Sequence, residues 1–120
     1  MNKGTVLRGN VVIIDLAPTN PNAGVRPALV VQNDRDNGRM GNTIIAQITS
    51  NVSRSHESTQ LLIDTSHQDW STSGLRRPSV VNCSNIVYVK QQHVTRLIGA
   101  LSALTMREID NCLKSALGIS

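Results

Sequence analysis

The sequence predicts a small, mainly β domain with one C-terminal α-helix, and three observations support this prediction. A length of 120 residues fits a single domain, and we place no boundary within residues 1–120. The chain has no Phe, and Val and Ile together outnumber Leu two to one, so β-branched side chains must fill the core. Short β-branched runs alternate with turn-rich segments until the C-terminal stretch, where the apolar period becomes helical.

The first half of the chain predicts three strands separated by polar loops. Each strand is a run rich in Val, Ile and Thr, and the three are residues 10–16, 28–32 and 43–49. The segments between and after them are rich in Gly, Pro, Asn and Ser, which favour turns. They predict a loop over residues 17–24, a turn over residues 33–42 and a surface loop over residues 50–59.

The second half predicts shorter strand pieces around an irregular segment. Residues 60–63 predict a fourth strand, and residues 67–78 are predicted to be irregular, with Trp70 turned inward. Further strand pieces are predicted at residues 79–82, 85–89 and 94–97. Short strands at this spacing are typical of a barrel or a sandwich.

The C-terminal segment has the pattern of an amphipathic helix. Thr105 and Glu108 have the spacing of a capping box, which predicts Thr105 as the N-cap of the helix. Apolar residues then recur at helical spacing, at Met106, Ile109, Leu113, Ala116 and Leu117. Gly118 supplies the expected end of the helix.

Charge and apolar runs limit the classes of protein to which the chain can belong. Its formal net charge of +4 is compatible with nucleic-acid binding but does not by itself indicate it. The longest apolar candidate for a membrane span, residues 97–104, is too short and is interrupted by Gly99 and Ser102. No signal-peptide pattern follows the N-terminal Met, so we expect a cytoplasmic protein with no membrane association. Cys83 and Cys112 are expected to be two buried thiols.

Metal and cofactor chemistry has little support in the sequence. His56, His67 and His93 are scattered, and none has a partner at metal-ligand spacing. Asp15, Asp34 and Asp36 lie at strand ends or turns, where Asp commonly caps backbone groups. There is no glycine-rich nucleotide motif and no nucleophile elbow. We therefore expect neither a metal nor a cofactor.

Two local features remain as candidates for chemistry. Arg26 lies at a glycine-rich junction between a loop and a strand, and Thr49 and Ser50 end the third predicted strand. A guanidinium presents a fixed fork of donors that fits phosphate oxygens, and a hydroxyl adds one more bond. The pairs Arg26-Pro27 and Thr49-Ser50 are common dipeptides, and their spacing alone favours a structural role. Phosphate binding therefore needs further support.

That support comes from a family resemblance that covers nearly the whole chain. Its motifs are RGNVV at residues 8–12, DLAP at 15–18, GVRPALVVQND at 24–34, TIIAQITS at 43–50 and LIGALS at 97–102. In this order and at these separations, they resemble the MazF/PemK toxins of bacterial type II toxin–antitoxin systems. The segment containing the Arg-Pro pair is the most specific of the five.

The resemblance implies a small SH3-like β-barrel with a C-terminal helix, the PemK/CcdB-like plasmid maintenance toxin fold. It also implies a homodimer that acts as an mRNA interferase, a sequence-selective, metal-independent endoribonuclease that cleaves single-stranded RNA and inhibits translation and growth. Attack by the 2′-hydroxyl would give a 2′,3′-cyclic phosphate and a 5′-hydroxyl. The expected partner is a MazE/PemI-like antitoxin, whose acidic tail would compete with RNA for one surface.

By the same resemblance, Arg26 and Thr49 are the expected catalytic residues. Arg26 remains protonated at neutral pH, which suits it to stabilise charge on the phosphorane and to protonate the leaving 5′-oxygen. Thr49 would donate a hydrogen bond to a non-bridging oxygen. The group that removes the 2′-hydroxyl proton is left open, with His56 as one candidate that is more readily interpreted as a surface histidine. Arg8 has either a packing or an ion-pairing role.

Base recognition must depend on hydrogen bonds, because the chain has only one Trp and one Tyr to stack on bases. Turn-forming roles are equally open for the Asn residues among the candidates. The expected RNA-binding residues are Asn20, Asn33, Ser50, Arg54 and Asn85, with Asn22 as a further candidate on the first loop.

The sequence departs from the common family pattern at two segments that bear on specificity. Residues 21–23 lack the usual Glu or Gln before the glycine, and residues 85–90 carry Asn, Val and Lys where Gln, Arg and Asp are frequent. The cleavage motif therefore does not transfer. Two alternative functions stay open: a gyrase-binding toxin acting through residues 111–120, and an inactive RNA-binding relative of the same fold.

Overall fold

The computed structural model describes residues 5–120, which form one antiparallel sheet and three helices. The strands are β1 (Asn10–Asp15), β2 (Val25–Val30), β3 (Asn42–Thr49), β4 (Gln60–Ile63), β5 (Ser79–Lys90) and β6 (Val94–Ala100). The helices are α1 (Asp34–Arg39), α2 (Trp70–Ser73) and α3 (Ala103–Leu117). A short 3-10 turn at Gln91–His93 joins β5 to β6.

The mainly β fold with a C-terminal helix is confirmed, although the barrel is incomplete. The six strands follow the order β4-β5-β3-β2-β1-β6, and every neighbouring pair is antiparallel. Within residues 5–120 the two edge strands, β4 and β6, do not pair with each other, so the sheet stays open. Register shifts in the β1–β6 and β3–β5 pairs bend it. The architecture is therefore a curved, barrel-like sheet.

The central strands β1, β2 and β3 carry buried residues on both faces, which explains why they contain nearly continuous β-branched runs. Alternate residues of a strand point to opposite faces. One buried cluster contains Val11, Leu29 and Ala46 together with Ile109 of α3. The other lies on the opposite face and includes Val12, Ala28, Val30 and Ile45. Trp70 is half-buried and packs on the first cluster, as expected, but it begins the short helix α2 within the segment that was wrongly predicted to be irregular throughout.

Two differences from the sequence prediction concern strand boundaries. The second strand begins at Val25 rather than at residue 28, because Val25 pairs with Asp15 across the β1–β2 ladder. The pieces predicted at residues 79–82 and 85–89 are one strand, β5. An irregularity between Ala46 and Gln47 of β3 lets β5 continue through the polar residues that suggested a break.

The turn predicted over residues 33–42 contains a helix instead, so that part of the prediction was wrong. The Asn33 side chain caps α1 by accepting a 2.8 Å hydrogen bond from the Asp36 backbone N–H. Below it, the buried Asn37 side chain donates to the Gln32 carbonyl and accepts from the Thr43 hydroxyl at 2.7 Å. Gly38 has a low helix propensity, so the sequence did not indicate this short helix.

The C-terminal helix is confirmed, but it begins at Ala103, three residues earlier than a cap at Thr105 predicts. Ser102 is the N-cap, and its hydroxyl accepts from the Thr105 backbone N–H. Gly118 ends the helix in the left-handed conformation, with a φ of 69°. Thr105 is the third residue of the helix and is buried, so it is not the cap that its spacing to Glu108 predicted.

The two cysteines are free and buried, as predicted. Burial and the neighbouring Cys112 thiol raise the pKa of Cys83 to about 12. Burial likewise raises the pKa of Cys112. The thiols are therefore protonated and unreactive at neutral pH. In the part of the chain that the structure describes, no helix is long and apolar enough to span a membrane.

Candidate functional site

A cleft of about 1140 Å³ opens among the described residues. Two sets of segments line it, together with strand residues between them. The loop wall consists of cleft-lining residues within 20–26 and 49–54, on the β1–β2 and β3–β4 loops. The glycine wall consists of residues 74–77, before β5, and residues 96–98 on β6.

The cleft has a strongly one-sided charge. Its charged lining residues are Arg26, Arg54, Arg76, Arg77 and Arg96. No Asp, Glu, His or Lys from residues 5–120 lines it. Because the formal charge of the whole chain is only +4, five positive charges in one cleft concentrate the basic character of the molecule there. Such a surface attracts polyanions.

Arg26 enters the cleft from the start of β2, where it pairs with Ile14 of β1. The Arg26 Nε donates a 2.8 Å hydrogen bond to the carbonyl of Ala23, and this fixes the stem of the guanidinium to its own loop. Gly24 allows the tight bend that this needs, with a φ of 66°. No carboxylate of residues 5–120 lies within 4.0 Å of Arg26, so its terminal nitrogens are available to an anion.

Thr49 is the last residue of β3 and is half-buried in the same cleft. Its hydroxyl oxygen accepts a 3.1 Å hydrogen bond from the backbone N–H of Asn51. The Asn51 side chain in turn accepts from the Ser53 N–H at 3.2 Å. This chain of turns holds the Thr49 oxygen as an acceptor and leaves its proton free to bond a ligand.

The cleft brings together four of the five predicted RNA-binding residues, namely Asn20, Ser50, Arg54 and Asn85, with both predicted catalytic residues. Asn85 accepts a 3.3 Å hydrogen bond from Gln47, and Arg54 lies 3.7 Å from the Glu57 carboxylate. Asn33 is not part of the cleft, because its side chain is used to cap α1.

Three further candidate residues also lie outside the cleft lining. Asn22 and His56 belong to the loops on either side of the cleft but do not line it. Arg8 has a structural role, since its Nε donates to the Val31 carbonyl at 2.8 Å and its guanidinium pairs with Asp110 of α3.

The sequence did not identify several groups that the fold brings to the cleft. Arg76 and Arg77 lie in the segment that was predicted to be irregular, and nothing in the local sequence placed them near Arg26. Arg96 reaches the cleft because β6 pairs with β1, where Arg96 lies opposite Ile13. The strand residues also contribute polar groups, which are Gln47, Gln60, Ser79 and Asn82. Only the strand order, which is a long-range property, could have revealed them.

No group of three or more His, Cys, Asp or Glu residues that could hold a metal occurs among residues 5–120. The donors of the cleft are instead guanidinium, amide and hydroxyl groups. Such groups bind phosphate oxygens and the edges of bases. The arrangement is suited to positioning a phosphodiester and to stabilising extra negative charge on it.

Comparison with known proteins gives the family. Residues 7–117 match the family described as PemK-like, MazF-like toxins of type II toxin–antitoxin systems. The chain belongs to this family. The chain of this MazF-like toxin is 32% identical over 116 residues to the endoribonuclease EndoA of Bacillus subtilis (strain 168), covering 95% of this chain and 96% of that protein. The predicted family and, at the level of enzyme class, the predicted endoribonuclease are confirmed.

Solved structures share the fold of this MazF-like toxin. An endoribonuclease from a mycobacterial species matches with a TM-score of 0.75 and 23% identity, over 99% of this chain and 97% of that chain. A mycobacterial endoribonuclease in complex with its cognate antitoxin matches with a TM-score of 0.75 and 24% identity, over 96% and 97%. At these identities the similarity establishes the fold.

Proposed function

We propose that this MazF-like toxin is a metal-independent, sequence-selective endoribonuclease that cleaves single-stranded RNA, including mRNA, and thereby inhibits translation and growth. The observation that carries the proposal is the cleft in which Arg26 and Thr49 lie among five arginines and no carboxylate from residues 5–120. Family membership supplies the reaction class, and the chemistry of these side chains supports the individual steps.

In the proposed reaction, the ribose 2′-oxygen attacks the adjacent phosphorus and the bond from phosphorus to the 5′-oxygen breaks. The products are a 2′,3′-cyclic phosphate and a 5′-hydroxyl. The 2′-hydroxyl loses its proton and the departing 5′-oxygen gains one, so no external water or metal-bound hydroxide enters the cleavage step. The enzyme's task is to align the phosphate and to stabilise the charge of the phosphorane.

Arg26 and Thr49 divide this task between charge and orientation. The Arg26 guanidinium, held at Nε by Ala23, directs its remaining N–H donors to the non-bridging oxygens and to the leaving 5′-oxygen. The Thr49 hydroxyl accepts from Asn51 and donates its own proton to one non-bridging oxygen. A preorganised donor of this kind is worth about 10²–10³ in kcat.

Selection of the RNA sequence is assigned to amide and hydroxyl groups around the phosphate. Asn20, Ser50 and Asn85 line the cleft with Arg54, and neither Trp70 nor Tyr88 does. Hydrogen bonds to unstacked base edges therefore carry selectivity, with little contribution from stacking. Asn33, which caps α1, has no part in this proposal.

Membership of a type II toxin–antitoxin family suggests a cognate MazE/PemI-like antitoxin as the protein partner. One structural relative is itself described in complex with its cognate antitoxin. We propose that an acidic segment of the antitoxin occupies the arginine-lined cleft and so competes with RNA. We also propose that the toxin is a homodimer and acts in the cytoplasm.

The test is cleavage of a long unstructured RNA by purified toxin in excess EDTA, with the ends of the products mapped. We expect cuts at a limited set of sites, 2′,3′-cyclic phosphate ends, and a loss of about 10²–10³ in rate for Arg26→Ala. Arg35→Ala, an exposed arginine outside the cleft, is the matched control and should cut normally. Uncut RNA with folded wild-type toxin, across varied sequences, would overturn the proposal.

A further inference from the structure

The glycine wall carries three arginines that the proposed cleavage step does not use. Arg76, Arg77 and Arg96 line the cleft and are open to solvent. Within residues 5–120, none of them has a carboxylate within 4.0 Å. A folded protein gains little from placing three guanidinium groups together without a counter-charge, because they repel one another. Their placement is therefore better explained by an anionic ligand.

The backbone that carries these arginines is fixed independently of their side chains. Gly74 has a φ of 75°, and a Cβ built on it would lie 2.1 Å from the Ile98 carbonyl oxygen. A Cβ on Gly99 would lie 2.3 Å from the Thr72 carbonyl oxygen. The segment after α2 and strand β6 thus touch backbone to backbone, which is possible only because both positions are glycine.

Further contacts fix the ends of the short segment between α2 and β5. The Leu75 backbone N–H donates to the Ser73 hydroxyl at 3.1 Å, and the Ser79 hydroxyl donates to the Arg77 carbonyl at 2.9 Å. Pro78 restricts the backbone between them. None of these bonds uses a guanidinium nitrogen. The fold therefore presents the Arg76 and Arg77 side chains to the cleft without engaging them.

We propose that Arg76, Arg77 and Arg96 form a second phosphate subsite, which binds a phosphate of the same RNA strand next to the one being cleaved. This inference rests on the proposed function, because it assigns the neighbouring position of that substrate. Arg26 and Thr49 hold the scissile phosphate, and the glycine wall fixes the direction and register of the strand. Gln47, Asn82 and Asn85 line the same cleft, and we assign them to contacts with the bases.

RNA explains the site better than an acidic peptide does. Six lining residues carry side-chain amides, namely Asn20, Gln47, Asn51, Gln60, Asn82 and Asn85. An amide presents both a donor and an acceptor, and base edges offer both in return. A carboxylate-rich peptide would use the arginines but would supply few side-chain donors for the amide oxygens. The combined arginine and amide lining therefore matches a strand with both phosphates and bases.

The first experiment measures binding without cleavage. The probe is a short 2′-O-methyl RNA of mixed sequence, which lacks the attacking hydroxyl, and affinity is followed by fluorescence anisotropy over a range of KCl concentrations. We expect the double variant Arg76→Ala/Arg77→Ala to bind about tenfold more weakly than wild type. The slope of log K against log [KCl] should shrink by about 0.7 for each phosphate that the variant no longer neutralises. Arg96→Ala should show a smaller change of the same kind.

The control is again Arg35→Ala, which removes the same kind of charge from a surface outside the cleft. If the double variant matches this control in affinity and in salt slope, the second subsite is overturned. If a poly-glutamate peptide loses affinity for the double variant while the RNA does not, the glycine wall binds a protein partner and the proposal is likewise overturned. Thermal melts monitored by circular dichroism check that each variant is folded.

Cleavage assays separate this inference from the proposed function on which it rests. With a cleavable RNA, the double variant should raise KM about tenfold and reduce kcat far less, whereas Arg26→Ala reduces kcat. If wild-type toxin cuts RNA and the double variant has an unchanged KM, the subsite fails and the nuclease stands. If wild-type toxin binds RNA in the predicted manner but never cuts it, the nuclease fails and the subsite stands.

Discussion

The two walls of the cleft carry similar side chains but are built in different ways. In the loop wall, most hydrogen bonds of the side chains stay within their own loop, as between Arg26 and Ala23 or between Thr49 and Asn51. The glycine wall is held instead by Gly74 and by the adjoining Gly99, which bring two distant parts of the chain into backbone contact. The side chains of the loop wall are therefore positioned by local hydrogen bonds, whereas the backbone of the glycine wall is positioned by contact between distant segments of the fold.

The largest expected effect belongs to the loop wall and should appear in activity but not in stability. Thr49→Val keeps the shape of the side chain and removes its hydroxyl, so the proposed bond to the phosphate is lost. We expect the rate of RNA cleavage to fall about 10²-fold. The melting temperature should stay close to that of wild type, because only one turn hydrogen bond is lost at the surface.

Thr49→Ser is the matched control for this prediction, since it keeps the hydroxyl and should retain most of the activity. A Thr49→Val enzyme that cuts RNA as fast as Thr49→Ser would remove Thr49 from the proposed chemistry. The assay is the initial rate on a saturating RNA, with melts followed in parallel.

The glycine wall should show the opposite behaviour, with a loss of stability. In Gly99→Ala the new Cβ would meet backbone atoms of Thr72 and Ser73 at 2.3 and 2.4 Å, so α2 and β6 must move apart. We expect a loss of about 1–3 kcal/mol in the free energy of unfolding. Urea denaturation measures it, and RNA affinity should fall along with stability as the wall opens.

Gly38→Ala provides the comparison, because Gly38 lies in α1 with open space around it and without a positive φ. That substitution should stabilise the protein by up to about 1 kcal/mol. Equal effects of the two substitutions would show that the backbone contact at Gly99 carries no special constraint.

A smaller effect is expected for the side chains that read bases. Asn85 is held on β5 by Gln47, whereas Asn20 sits on the exposed β1–β2 loop. Asn85→Ala should reduce cutting at the preferred sites about tenfold, which corresponds to about 1.4 kcal/mol. Asn20→Ala should have less effect, because a loop residue loses more entropy when it binds. Sequencing of the cut ends gives the cleavage-site preference of each variant. A larger effect of Asn20→Ala than of Asn85→Ala would contradict this prediction.

The smallest expected effect is on the pH dependence of stability, through Asp69, which lies beside the segment that carries the glycine wall. Asp69 precedes α2, and its carboxylate accepts a 2.8 Å hydrogen bond from the Ser102 backbone N–H at the start of α3. Burial acts to raise the pKa of this carboxyl, but the hydrogen bonds from Ser102 and Thr105, with the charge of His67, lower it below its usual value of 3.8.

Because the folded pKa of Asp69 is lowered, its contribution to stability is present above pH 3.8 and is lost as the pH falls through the folded value. Melting temperatures of wild type and Asp69→Asn should therefore converge as the pH falls from about 5 to below 3. The pKa of Asp64, on an exposed turn, is also lowered, mainly by a hydrogen bond from Ser66, so Asp64 also contributes stability that is lost in acid. Asp64→Asn is therefore measured in parallel, so that its contribution can be separated from that of Asp69. Parallel curves for wild type and Asp69→Asn would contradict the prediction.

The sequence predicted the local features well, and the reasons are physical. The strand runs were visible because the central strands are buried on both faces, and α3 was visible because its apolar period and Gly118 are local signals. Arg26 and Thr49 came from motifs within the loop wall. The glycine wall was missed because it depends on β6 pairing with β1 and on contact between Gly74 and β6. Helix α1 was missed because Asn33 and Gly38 resemble turn residues.

The cleft lining has one consequence for how such a toxin is controlled. All of its charged side chains are guanidinium groups, and no carboxylate, imidazole or lysine amine of residues 5–120 lines it. Under the proposed function, the RNA strand and the acidic antitoxin segment therefore meet the same cations. Occupancy of the cleft then depends on the ionic strength, which screens the arginines, and on the relative concentrations of the polyanions that compete for it.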